Sequence, residues 1–219
     1  MNSRLQLALD DITLEDALHL LEQIQDDVDI VEIGTPFMME YGILPIKEIR
    51  KHFPQMEVLL DAKIMDAGFY EAEVGLKEGA DYVTVLAVTD DRTIAEVAQA
   101  AAARGKKSVA DMICVTDFQT RVPQLEALGV DILAVHTGID QQAEGRTPLD
   151  DLREIRKYVN AAAVAVAGGI SPETIDAYLE YEPEIIIVGG GIVHASDPAA
   201  AAKELKRKMR EYSFRQRQQ

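Results

Sequence analysis

Asp61, Lys63 and Asp66 stand at the end of an apolar run, in a segment that reads LLDAKIMDAG from Leu59 to Gly68. Val58-Leu59-Leu60, between Pro54 and Gly68, predicts a buried strand. Strand side chains alternate, so Asp61 and Lys63 share a face that Ala62 does not. Two charges on the inner face of a buried strand are costly unless they pair or bind something. A structural ion pair would satisfy both. Glu32, at the same stage of the run VDIVEIG, adds a third buried charge and favours a polar site instead. Glu32 and Asp61 are oxygen donors of the kind that Mg²⁺ takes, one or two carboxylates with water and substrate oxygens, with Mn²⁺ as the alternative. No His/Cys set has zinc spacing. Lys63 beside carboxylates stays protonated and can donate to developing negative charge.

Such residues act only if the fold brings them together. Apolar runs recur along the chain: LQLAL, VDIVEIG, VLLDAK, DYVTVLA, SVADMICV, DILAVH, AVAVAGG and EIIIVGGG. Being continuous rather than alternating, they predict strands buried on both faces, as in parallel sheets. Helical segments are expected between them at 14–24, 44–52, 70–78, 93–104, 118–128, 149–159 and 172–181, with a last one from Pro198 to about Tyr212. Thr13 before Leu14-Glu15-Asp16, and Ser171-Pro172-Glu173, read as helix starts. Gly79, Gly105 and Gly129 read as stops. Eight βα units in one undivided chain predict a single-domain (β/α)8 barrel over residues 1–212, with 213–219 as a frayed basic tail. The competing architecture is a doubly wound open sheet.

In a (β/α)8 barrel the active site forms at the C-terminal strand ends. Strand one ends in Asp10, strand two in Glu32, strand three in Asp61, Lys63 and Asp66, strand five in Asp111 and strand six in His136. Imidazole has the titration range of a general base, although a lone His after an apolar strand is often a satisfied core group. Strands seven and eight lead into Gly168-Gly169-Ile170 and Gly189-Gly190-Gly191. Glycines there let the backbone approach an anion closely, and in barrels these two loops commonly hold phosphate. His19, His52 and His194 read as surface or packing residues.

A formal net charge of −16 over 219 residues argues against nucleic-acid binding. The basic run from Lys203 to Arg217 reads as a solvated last helix. No run of about 18 apolar residues suggests a membrane span, and LQLAL followed by Asp10 and Asp11 does not read as a secretory signal. The lone Cys114, between Ile113 and Val115, reads as a small core residue and suits a reducing cytoplasm.

DAKIMDAG matches the Asp-x-Lys-x-x-Asp signature of the orotidine 5′-monophosphate decarboxylase suprafamily. The resemblance extends through LQLALD, DIVEIGTP, GADYVTVL, VHTGIDQQAEGRTPLDDL, VAGGI and IIIVGGGI. Within it, the ordered set resembles the 3-hexulose-6-phosphate synthase family. Metal-independent orotidine monophosphate decarboxylases carry Lys where this chain has Glu32. The 3-keto-L-gulonate-6-phosphate decarboxylases have an arginine soon after the strand-six His, where this chain reads His136-Thr137-Gly138-Ile139, and Glu in place of Asp111. The resemblance implies a reversible aldol reaction of formaldehyde with D-ribulose 5-phosphate, with Mg²⁺ on Glu32 and Asp61. It implies His136 as the base at C1, Lys63 stabilising the enediolate and Asp10 on substrate hydroxyls. It further implies a homodimer in which Asp66 reaches the partner's site, and leaves Asp111 as either catalytic or orienting.

Overall fold

The computed structural model describes residues 3–217. Within them β1 (Arg4–Leu9), β2 (Ile30–Ile33), β3 (Glu57–Ile64), β4 (Tyr82–Leu86), β5 (Lys107–Asp111), β6 (Ile132–His136), β7 (Ala163–Ala167) and β8 (Ile185–Val188) run in sequence order. Each pairs in parallel with its neighbour, and β8 returns to pair with β1, so the sheet is a closed barrel. The expected (β/α)8 architecture is the one found, and the open doubly wound sheet is not.

The helices are α1 (Leu14–Ile24), α2 (Thr35–Tyr41), α3 (Leu44–His52), α4 (Gly68–Leu76), α5 (Asp91–Ala103) and α6 (Phe118–Ala127), then α7 (Ile139–Ala143), α8 (Leu149–Ile155), α9 (Ile175–Leu179), α10 (Gly190–Val193) and α11 (Pro198–Gln216). Helix α1 has the expected bounds because Thr13 caps it, its hydroxyl accepting from Asp16 N–H. Four expectations need correction. The helix expected at 149–159 ends at Ile155. Ser171-Pro172 opens a turn, stapled by Ser171 N–H to Thr174 Oγ1 at 2.9 Å, and α9 begins only at Ile175. The chain after Tyr212 does not fray at once: α11 continues to Gln216, and Ser213 is buried, so its last turn still packs; residues 218 and 219 lie outside the described residues. Cys114 is exposed and adopts φ +64°, because β5 has already ended at Asp111.

Two separate apolar layers explain the continuous runs. Leu5, Leu7, Leu9 and Ile33 face the helices, while Ile30, Leu59, Val109, Ile132 and Ile185 pack inside the barrel. Below this inner layer Arg4 Nη1 donates to Tyr82 Oη at 2.8 Å, and Glu57 contacts both. Burial, then the Glu57 hydrogen bond, pushes the Tyr82 phenol up to about 12, so it closes the barrel floor as a neutral donor. Polar side chains at the other end, Glu32, Asp61, Thr84 and Asp111, are all buried.

A carboxylate stands just before every even-numbered strand and accepts a backbone N–H from the preceding odd strand. Asp29 Oδ2 takes Leu5 N–H at 2.7 Å and Asp81 Oδ2 takes Val58 N–H at 2.9 Å. Asp131 Oδ2 takes Ser108 N–H at 2.9 Å and Glu184 Oε2 takes Val164 N–H at 2.7 Å. Each also meets a cation: Lys206, Arg50 with Lys106, Lys107 and Arg156 respectively. Burial works to raise the Asp81 carboxyl, but hydrogen bonds from Lys106 and Val58 N–H, with the Arg50 charge, hold it below the usual range. Asp81→Asn is therefore expected to cost about 2–3 kcal/mol at neutral pH. A depressed carboxyl stabilises above its unfolded pKa of about 3.9 and loses that contribution as pH falls through the folded value. Urea unfolding of both proteins checks the sign: the gap should narrow steadily in acid and stay constant above it.

Candidate active site

Asp61 is the hub of the polar end. Thr84 Oγ1 donates to its Oδ1 at 2.8 Å, and Thr35 Oγ1 lies 2.9 Å from its Oδ2 and 2.8 Å from its carbonyl oxygen. Lys63 Nζ pairs with Asp61 Oδ2, donates to Thr35 Oγ1 at 3.2 Å and lies 3.6 Å from Asp111 Oδ2. Asp111 then reaches His136, with Oδ2 at 2.9 Å from Nδ1, while its Oδ1 accepts Ile113 N–H at 2.9 Å. Glu32 Oε2 accepts from Gln6 Nε2 at 2.6 Å.

Local backbone features aim these groups. The β3–β4 register shifts between Leu60 and Ile64, and Lys63 sits in that bulge at φ +45°, its N–H held by Thr84 Oγ1 at 2.9 Å. Lys63 and Asp61 thereby meet although the strand is no longer regular. Gly34 follows β2 beside Asp10: a Cβ there would fall 2.0 Å from Asp10 Oδ1 and 2.6 Å from Leu9 O. Only glycine leaves room for that carboxylate.

The electrostatics are those of a crowded acidic site with one cation inside it. Burial and then the Asp61 charge push the Glu32 carboxyl up to about 8, with the Gln6 hydrogen bond working the other way. Burial, then Asp61, also raises Asp10. Burial opposes the Lys63 charge, yet Asp61 and Asp111 outweigh it and raise its pKa, so the ammonium persists. Burial would raise Asp111, but the His136 hydrogen bond and charge and the Lys63 charge hold it down as a carboxylate. That carboxylate selects the Nδ1–H tautomer of neutral His136 and leaves Nε2 as the basic atom.

Asp61, Lys63, Asp111 and His136 are joined directly, and Asp10 and Glu32 share their field. Asp66 is not brought in: it is exposed, and its Oδ1 accepts Ala67 N–H at 2.7 Å. Gly168 and Gly169 form a turn at positive φ, where a Cβ on Gly168 would come within 2.7 Å of Thr137 O. Gly189 caps α10, and Gly190 and Gly191 form its first residues. The Ile170 side chain belongs to the outer core, so only its backbone is available to a ligand. Gln6, Thr35 and Thr84 are contributors that the sequence reading missed. Thr84 is an ordinary strand former, but an amide in the run LQLAL was a readable signal.

Among the described residues no three His, Cys, Asp or Glu groups form a ready-made cation cluster. The residues nevertheless fit a divalent cation of the Mg²⁺ type, which needs only one or two carboxylates. The Asp61 charge raises the cost of ionising both Glu32 and Asp10, a strain that a cation beside them would offset.

A family model described as orotidine 5′-phosphate decarboxylase / HUMPS matches residues 3–205. The protein called 3-hexulose-6-phosphate synthase 3 in Staphylococcus saprophyticus is 46% identical over 202 residues, which is 92% of this chain and 96% of that one. The crystal structure of 3-hexulose-6-phosphate synthase from Salmonella typhimurium superposes with a TM-score of 0.93 at 49% identity, covering 95% of this chain and 99% of that one. 3-Keto-L-gulonate-6-phosphate decarboxylase from Vibrio cholerae has a TM-score of 0.84 at 23% identity, covering 97% and 99%, a likeness of fold alone.

Proposed function

From the chain's membership of the orotidine 5′-phosphate decarboxylase / HUMPS family, to which it belongs, we propose that it condenses formaldehyde with D-ribulose 5-phosphate, reversibly, giving D-arabino-hex-3-ulose 6-phosphate. The observation that carries this reading is the Asp111–His136 pair beside the Lys63 ammonium. His136 Nε2 removes a proton from C1 of the sugar phosphate, giving the 1,2-enediolate. Lys63 stabilises the negative charge as it develops. C1 then attacks the formaldehyde carbon, the C2 carbonyl re-forms, and Nε2–H returns its proton to the former formaldehyde oxygen. Glu32 and Asp61 would hold Mg²⁺, or Mn²⁺, which supplies Lewis acidity towards oxygens next to the reacting carbon. The Gly168-Gly169 and Gly189–Gly191 loops would hold the phosphate and Asp10 the hydroxyls, so remote binding orients C1.

The homodimer belongs to the same proposal. Met39 follows β2, Met65, Phe69 and Tyr70 follow β3, and Val88 follows β4, all exposed on consecutive segments around Asp66. Large apolar side chains exposed on neighbouring segments suit cover by a second copy. No helix of the described residues is long and apolar enough to cross a membrane, and with a lone cysteine the chain suits the cytoplasm.

The test is a paired assay with Mg²⁺: ribulose 5-phosphate with formaldehyde in one vessel, 3-keto-L-gulonate 6-phosphate in the other. Formaldehyde consumption should far outpace release of CO₂. The reverse result would make the chain a decarboxylase that works without an arginine after His136.

A further inference from the structure

Gln6 lies on the inner face of β1, two residues below Ala8, and is 1% exposed. Its β2 partner is Ile30 and its β8 partner is Ile187. The inner cluster around the rest of the barrel is apolar, built from Leu59, Val109, Ile132, Ala134, Ala165 and Ile185, with the Tyr82 ring at its floor. Packing at this level calls for another aliphatic residue. An amide there is costly, the more so because Gln6 Oε1 is buried with no hydrogen-bond partner. Its Nε2, in contrast, makes one short bond, 2.6 Å to Glu32 Oε2.

We propose that Gln6 is a positioning residue, whose amide fixes Glu32 from below by one carboxylate oxygen so that the other is held ready for a divalent cation. The inference rests on the reading of Glu32 as a cation ligand. Glu32 occupies a four-residue strand that is buried along its whole length. Among the described residues Gln6 is the hydrogen-bond donor to its side chain. Without that donor the carboxylate is free to turn towards other rotamers within the barrel, and the cation must order it on binding. An unsatisfied Oε1 retained in an apolar layer is what such a role would leave behind, whereas a residue selected for packing would carry no amide.

The experiment uses the full chain freed of metal and titrates Mn²⁺ by electron paramagnetic resonance, with urea unfolding alongside. Gln6→Met keeps the length and removes the amide; Gln6→Asn keeps the amide but is one methylene too short to reach. Both should fold, Gln6→Met with a midpoint at least equal to the parent's. Both should bind Mn²⁺ about 10–100-fold more weakly, as is typical when a group that orients a metal ligand is lost. Glu32→Gln sets the scale for complete loss. Turnover should be recovered at high metal concentration, so that the metal requirement moves further than kcat. Folded Gln6→Met that binds Mn²⁺ within about twofold of the parent would overturn the proposal while leaving Glu32 as a ligand. A parent protein that binds no Mn²⁺ would overturn both. If neither variant folds, Gln6 is a structural group and the proposal fails.

Discussion

His136→Asn should lower turnover by about 10³-fold, the range for loss of a positioned general base, with little change in stability. Asparagine keeps a polar side chain near Asp111 but has no basic nitrogen. The imidazole it replaces lies at a strand end, partly open to the polar face and outside the apolar clusters, so the fold loses little. The more telling measurement is made without formaldehyde. In deuterated water the parent should exchange the C1 proton of ribulose 5-phosphate, because abstraction precedes attack on the aldehyde. His136→Asn should stop that exchange together with turnover. Exchange that continues undiminished would place the base elsewhere and leave Asp111 and His136 as an orienting pair. Asp111→Asn should act in the same direction with smaller size, since it removes the group that selects the Nδ1–H tautomer but not the base itself.

Lys63→Ala and Asp66→Asn should each leave a nearly inactive protein, yet their equal mixture should regain about a quarter of parental activity after exchange of subunits. Lys63 provides the positive charge inside the acidic site, and removing such a donor typically costs about 10²–10³-fold in kcat. Asp66 touches none of the residues around Asp61 within its own protomer. If Asp66 of the partner subunit completes the site, half the mixed dimers are hetero-dimers, each with one site that is wild-type in both residues. Lack of recovery in dimers shown to have exchanged would remove Asp66 from the partner's site. Loss of the dimer in Tyr70→Asp, read by sedimentation, is the matching check on the surface that surrounds it.

Charge was the legible part of the site. Glu32, Asp61, Lys63 and Asp111 each end an apolar run, and burying such groups is costly enough that the pattern stands out. Thr35 and Thr84 are just as closely involved with Asp61, but a threonine at a helix start or in a strand breaks no rule. The bulge at Lys63 was equally hidden, because it is held by a hydrogen bond that Lys63 N–H donates to Thr84 on a neighbouring strand. Similar reasons separate the helices. Helices α1 and α3 show a cap or an apolar stripe within one contiguous segment and were found with the right bounds. Helices α2, α7 and α10 are only four to seven residues long and sit in the loops of the polar end, where helical periodicity has no length in which to show. Ser171-Pro172 carries a helix-start signal that the chain uses for a turn, three residues ahead of the helix.

The four carboxylates that precede the even strands give the barrel a different kind of order from its eightfold appearance. Each joins residues 20 to 24 apart in the chain, so each contact closes a short loop at modest entropic cost. All four of these backbone contacts lie within a strand pair, and only Asp81 also reaches across a junction, through Lys106 just before β5. Each odd–even strand pair thus carries a local side-chain link of its own, the kind of short-range contact that can form early. Lys206 makes the long-range link. It brings the last helix to Asp29, between the first pair of strands. A rerouted chain with new ends in the exposed 143–147 segment would keep every pair intact, whereas one opened at 25–27 would divide the first and separate Leu5 from its carboxylate.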